Sequence, residues 1–232
     1  MIFQRLNETL YFFWHHLTDL LWRLSPLLPL LVLANYRQYY LHAGDPVKVV
    51  GDPTFLITQA VAGVLALGLS VRFTLAVARG DGGTGAAPLW AAALDRSLAL
   101  AAAQILAGIL ITAGLLLFIL PGLYLMGMLL PALVIVMAED VPATVALRAA
   151  WTRFRHLWGG VTLGVLLLLP AILCVLAGLD ALGQLLVNAP LALRVGAGSL
   201  LDLVGLLFAQ PVGILLVRHY ELERRGAAEA GH

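Results

Sequence analysis

The chain has 232 residues, of which 61% belong to the AVILMFWYC set and only 12% are charged, with a mean hydropathy of +0.95. A water-soluble domain carries roughly a quarter charged residues because its surface must face water. This composition therefore excludes a soluble globular protein and leaves lipid as the solvent for most of the surface. The formal net charge of +1 gives no reason to expect a nucleic-acid partner, and the lone Cys174 rules out an intramolecular disulfide. Cys174 reads as a small buried hydrophobe inside an apolar run.

The first stretch does not read as a secretory signal, which would place its apolar core directly after a short basic segment. Residues 1–23 read instead as an amphipathic helix lying in the membrane interface. Leu6, Leu10, Phe13, Leu17, Leu20, Leu21 and Leu24 recur at helical spacing, with Glu8, His15, Asp19 and Arg23 on the other side. A helix needs about 20 apolar residues to cross the hydrocarbon. The first span is expected over 24–41, although it holds Pro26, Pro29, Asn35 and Arg37, and the second over 54–73. The apolar stretch 98–138 would make one helix of about 60 Å, twice the bilayer. It divides at Leu120-Pro121-Gly122 into spans 98–119 and 121–138. Spans five and six follow at 159–179 and 199–217, all within a single membrane domain, 1–232. The expected fold class is all-α, a polytopic bundle of six transmembrane helices plus interfacial amphipathic helices.

Lys and Arg are retained on the cytoplasmic side. With the N-terminus inside, Arg5, Arg23, Arg72, Arg79, Arg96, Arg148, Arg153, Arg155, Arg218, Arg224 and Arg225 share that side. Only Arg37, Lys48 and Arg194 lie outside. The bias of eleven to three places both termini in the cytoplasm. Between spans four and five, residues 142–158 read as a second interfacial helix, with Leu147, Trp151, Phe154 and Trp158 as its apolar stripe. Arg148, Arg153, Arg155, Trp151 and Trp158 are its candidate contacts with anionic lipid headgroups, each nearby Arg adding about 1 kcal/mol of attraction. The pattern of an interfacial helix followed by two spans appears at 6–73, again at 141–217, and more faintly from Pro88-Leu89-Trp90, so the chain reads as three repeated units.

From Leu120-Pro121-Gly122 the chain runs through Pro131, the acidic pair Glu139-Asp140, and the amphipathic Ala146-Leu147-Arg148-Ala149-Ala150-Trp151-Thr152-Arg153. This order resembles the YciC-like family of bacterial inner-membrane proteins. It is more loosely similar to the membrane domain attached to some glycerophosphodiester phosphodiesterases. Tyr11-Phe12-Phe13-Trp14-His15-His16 is similar to the family's opening aromatic helix, and Arg218-His219-Tyr220 to its terminal Arg-Leu-Tyr. The first loop is shorter here than the family leads one to expect, and Arg37 interrupts span one. The resemblance implies a multi-pass protein associated with keeping the cell envelope intact, and it carries over no catalytic residue.

The residues themselves offer little chemistry. His15 and His16 point about 100° apart on a helix and cannot share a metal as an i, i+4 pair can. Gly80-Asp81-Gly82-Gly83-Thr84-Gly85 lacks the lysine of a phosphate loop and reads as a linker. Gly44-Asp45-Pro46 and Gly51-Asp52-Pro53 are turn signals, and Gly160 and Gly164 form a GxxxG pair for close helix packing. Ionisable groups in a membrane face the protein interior or a wet cavity, or snorkel to water from near the headgroups. Arg37, Asp180, Arg194 and Asp202 map to the outer ends of spans one, five and six and make a candidate polar cluster, with Asn35, Gln59, Gln104 and Gln210 as added polarity. The sharpest expectation is an Arg37–Asp202 ion pair, with Asp180 as the rival partner. No catalytic group, metal or cofactor is expected. The function expected is non-enzymatic envelope or lipid homeostasis, through membrane lipids, protein partners or a homo-oligomer. The alternative is a small permease with a polar path between helices.

Overall fold

A computed structural model describes residues 2–41, 52–81, 83–186 and 188–230. Lys48, Gly44-Asp45-Pro46, Gly51, Gly82 and Val187 fall outside the described residues. Among those described, every regular element is helical. Six stretches are long and apolar enough to cross a bilayer: Leu17–Tyr40, Pro53–Ala78, Ser97–Leu117, Ile119–Glu139, Trp158–Leu185 and Leu191–Gly226. Their outward surface is apolar: Ile105, Ile109, Leu163, Leu167 and Leu173 are all exposed. A soluble monomer rarely shows so extensive an apolar surface. The protein is an all-α, multi-pass membrane protein.

Helix α1 (Ile2–His15) is followed by α2 (Leu17–Leu24), a 3-10 turn at Ser25–Leu27, α3 (Leu28–Tyr36) and a π-type turn at Arg37–Leu41. The break between α1 and α2 falls at His16, whose φ of −105° and ψ of 15° leave the helical well. This break splits the expected apolar stripe into two. Leu6 and Phe13 are buried on α1, and Leu20 and Leu24 on α2, whereas Leu10 and Leu21 are 39% and 38% exposed. Pro26 and Pro29 do not end the helical path, because each stands in the first turn of its element, where a missing N–H costs nothing. The first membrane-crossing stretch thus begins at Leu17, earlier than the sequence suggests.

The second span is α4 (Pro53–Ala78), capped by Asp52, and a short α5 (Ala86–Asp95) leads into α6 (Ser97–Leu117). The α6 hairpin turns on Phe118 alone, which is extended (φ −160°, ψ 149°), before α7 (Ile119–Leu129). Pro121-Gly122 therefore lies in the first turn of α7, not at the bend. Its glycine serves contact: a Cβ on Gly122 would stand 2.4 Å from Leu115 Cγ and 2.6 Å from its backbone nitrogen. Pro131 bends the chain into α8 (Ala132–Glu139), where every residue from Ala132 to Met137 is buried. A helix apolar all round belongs in the middle of a bundle, and α8 packs there against α4, α6, α9 and α11.

Helix α9 (Ala143–Arg153) is separated from α10 (Trp158–Leu185) by a 3-10 turn at Phe154–His156. Its buried face is Ala143, Ala146 and Ala150, continued by Phe154. Of the expected stripe, Phe154 is buried while Trp151 and Trp158 are exposed, with rings 6.5 and 5.2 Å from Tyr124. Small alanines let α9 approach the bundle, and the tryptophans fall to its side. The last helix, α11 (Leu191–Ala230), runs through Pro211 without interruption. The order of a short helix before two spans occurs three times, introduced by α1, α5 and α9. Gly160 and Gly164 do mark a close crossing. A Cβ on Gly164 would lie 2.7 Å from Leu215 Cδ2, and one on Gly160 would lie 3.4 Å from His219 Nε2. Cys174, expected to be buried, is exposed on α10 and faces lipid in a bilayer.

Candidate functional site

Six crossings return the chain to the face where it starts, and Arg218 on α11 donates to Glu8 on α1 at 2.7 Å on that terminal face. Polar groups gather at both ends of the bundle. At the far end, α3 supplies Asn35, the following turn Tyr39, α4 Gln59, α10 Asp180 and α11 Asp202, around a cavity of about 360 Å³. Asn35 Nδ2 donates to Asp202 Oδ2 at 2.6 Å and to the Leu31 carbonyl at 3.1 Å. Gln59 Nε2 donates to the same Asp202 oxygen at 3.2 Å. Gly198 makes this possible, since a Cβ there would lie 2.7 Å from Asn35 Oδ1. Asp180, at the exposed edge, accepts from Gln184 at 2.9 Å. The Arg194 guanidinium stands 5.3 Å over the Tyr39 ring.

The expected Arg37–Asp202 pair does not form. Arg37 Nε and Nη2 both donate to Asp52 Oδ2 at 3.1 Å, while Asp52 Oδ1 caps the Thr54 N–H at 2.8 Å. Asp52 closes span two's first turn, where an N-terminal helix end favours negative charge. The short link between spans one and two brings it beside Arg37. The sequence signal was the Asp52-Pro53 start of a helix, read only as a turn. Of the four residues expected to cluster, Asp180 and Asp202 line the cavity, Arg194 stands by Tyr39, and Arg37 belongs to a separate pair. Asn35 and Gln59 join the site. Buried Gln210 donates to the Leu206 carbonyl instead, and Gln104 lies apart on α6.

At the terminal face the acidic pair Glu139-Asp140 ties four helices together. Glu139 accepts from Arg153 and, at 3.1 Å, from the Tyr220 hydroxyl. Its hydrogen bond raises the Arg153 guanidinium above the ordinary arginine range, against partial burial. Asp140 pairs with Arg72 and lies 3.4 Å from Arg96 Nε. Arg79, Arg153 and Arg224, with Glu139, Tyr220 and Glu223, enclose a recess of about 540 Å³. Arg79 and Arg224 entered the sequence reading only as basic residues of the terminal face, and Glu223 not at all, because nothing in their spacing brings them together. Of the five candidate headgroup contacts, Arg153 is held by Glu139, while Arg148, Arg155, Trp151 and Trp158 are exposed.

Asp140 also ends α8 at φ 54°, ψ 36°, the one left-handed non-glycine residue described. That conformation costs a β-carbon residue about 1–2 kcal/mol, and here the two arginines hold it in place. Asp140→Ala loses the pairs and keeps the strain, whereas Asp140→Gly loses only the pairs. The glycine variant is expected to unfold about 1 kcal/mol later than the alanine variant in detergent melting curves. Equal melting temperatures for the two would show that the turn carries no strain. The chain matches no family model, no curated protein and no solved structure.

Proposed function

We propose that this protein is a non-enzymatic component of the bacterial inner membrane that serves envelope or lipid homeostasis through contacts with lipids or partner proteins. The observation that carries this reading is the three-arginine recess on the terminal face, beside exposed Arg148, Arg155, Trp151 and Trp158. Basic and aromatic side chains at one level match anionic headgroups and the acyl boundary below them. The resemblance to the YciC-like family agrees with it. In this reading the terminal face is cytoplasmic, as the eleven-to-three bias of basic residues favours. Native mass spectrometry after gentle extraction tests the lipid contact. Anionic lipid should remain bound to the wild type and fall away in the Arg79→Gln, Arg224→Gln double variant. Equal retention in both would remove the recess from the function.

The orientation has its own test. In a Cys174→Ser background, cysteines at Lys48 and Asn188 should react with a membrane-impermeant maleimide in intact spheroplasts. Those at Gly83 and Thr144 should react only after lysis. Reversal at two sites would invert the topology. A second reading, a small permease, is favoured by one observation, the Asp202–Asn35–Gln59 group inside the bundle.

A further inference from the structure

The far-end cavity is graded along its depth. Near the helix ends it is walled by Tyr39, Asp180 and Gly198, then by Asn35, Gln59 and Asp202. Deeper, one to two helical turns below the two acids, Leu176, Leu206 and Ala209 replace them. From Asp202 to Ala209 is seven residues of α11, about 10 Å toward mid-membrane. The slot is thus polar and doubly acidic at its mouth and apolar at its base. Both groups that donate to Asp202 are neutral amides, and both engage one oxygen, Oδ2. Its other oxygen and Asp180 bring negative charge to the mouth, where the Tyr39 ring already carries the Arg194 guanidinium at 5.3 Å.

The geometry points to a binding site for a single-chain segment of an amphiphile carrying a primary amine head, with the ammonium against Asp202 and Asp180 and the chain along Leu176 and Leu206. A volume of about 360 Å³ holds such a head and the first part of a chain. An ammonium replaces its lost water with charge-assisted bonds to carboxylates, and the apolar base rewards the chain in proportion to its buried area. A phosphate without an amine meets two carboxylates there and is disfavoured. The assignment is separate from the lipid-contact reading, which rests on arginines at the opposite face, and each can fail without the other.

The test uses the full chain purified in mild detergent, with lysophosphatidylethanolamine as the probe and native mass spectrometry as the readout. Its N-acetylated derivative keeps the chain and phosphate but loses the charge, and glycerophosphoethanolamine keeps the amine but loses the chain. The amine form should bind about tenfold tighter than the N-acetyl form, the discrimination expected of a charged hydrogen bond. It should also bind far tighter than the chainless head. Asp202→Asn, which keeps shape and an acceptor oxygen, should reduce the amine preference to near unity. If that variant fails to fold, Asp180→Asn takes its place: Asp180 is exposed and, among the described residues, accepts a hydrogen bond from Gln184. The preference should then fall severalfold. Equal binding of amine and N-acetyl forms by the wild type would overturn the assignment. So would a preference unchanged in the folded variants, or equal binding of the chainless head.

Discussion

Gly127→Ala is expected to destabilise the bundle by about 3 kcal/mol or more, the upper end of what overpacking costs. A Cβ at Gly127 would stand 2.3 Å from the Trp158 carbonyl oxygen, 2.9 Å from its carbon and 2.4 Å from Thr162 Oγ1. The first two atoms are backbone, so no rotamer change makes room, and α7 and α10 must move apart. Thr162 resists that movement because its hydroxyl donates across the same crossing to the Leu123 carbonyl at 2.9 Å. In a membrane, helices are held by this kind of close packing, since lipid offers no hydrophobic drive between them. Gly63→Ala is the control: nothing lies within 4 Å of its added methyl. Alanine's better helix propensity should leave that variant at least as stable as the wild type. Melting followed by size-exclusion recovery in mild detergent distinguishes the two. A Gly127→Ala midpoint matching that of Gly63→Ala would mean that α7 and α10 do not cross this closely.

Gly127 itself gave no sign in the sequence, and the reason is general to this chain. Periodicity and length reveal a span, because twenty apolar residues have one solution in a bilayer. They do not reveal which side of a span meets protein and which meets lipid, since both are apolar. Cys174 was therefore expected inside and is exposed, and the apolar stripe of residues 1–23 divides between buried Leu6, Phe13, Leu20 and Leu24 and exposed Leu10 and Leu21. The amphipathic helix at 142–158 was legible as an element, but its inward face proved to be Ala143, Ala146, Ala150 and Phe154. A stripe drawn through the largest apolar residues caught only Phe154 of that face, because close approach selects the smallest. The hairpin within 98–138 was demanded by length, yet its bend came at Phe118 and not at Pro121-Gly122. Proline is at ease in a first helical turn, so it marks the neighbourhood of a helix start more faithfully than its boundary. At the candidate site, Asp180, Asp202, Asn35 and Gln59 stood out as polar letters in apolar runs, and the cavity unites them. Their pairing was beyond a one-dimensional reading, because depth matches many partners and only the packing of α3 against α11 chooses among them.

That choice is measurable. Asp202→Ala should cost about 2–4 kcal/mol, since it strips an acceptor from the buried Asn35 amide and the half-buried Gln59 amide, where an unsatisfied buried donor costs about 1–3 kcal/mol and a half-buried one less. The Asn35 amide is eased by its second bond to the Leu31 carbonyl, which keeps the figure below the sum of the maxima. Interhelical hydrogen bonds in membranes couple by about 0.6 kcal/mol on average and about 1.7 at most, and a carboxylate acceptor places this one in the upper part of that range. In a double-mutant cycle, Asn35→Ala and Asp202→Ala should accordingly be non-additive by about 1–1.7 kcal/mol. Arg37→Ala and Asp202→Ala should be additive within about 0.5 kcal/mol, as sites with no shared partner are. Arg37 should couple instead to Asp52, whose Oδ2 it holds through two nitrogens. Because Asp52 Oδ1 also caps Thr54, Asp52→Asn is the cleaner partner for that cycle: it keeps an oxygen for the cap while removing the charge. Reversible unfolding in bicelles gives the free energies. A coupling between Arg37 and Asp202 larger than that between Asn35 and Asp202 would overturn the pairing, and with it the arrangement of spans one and six that creates the cavity.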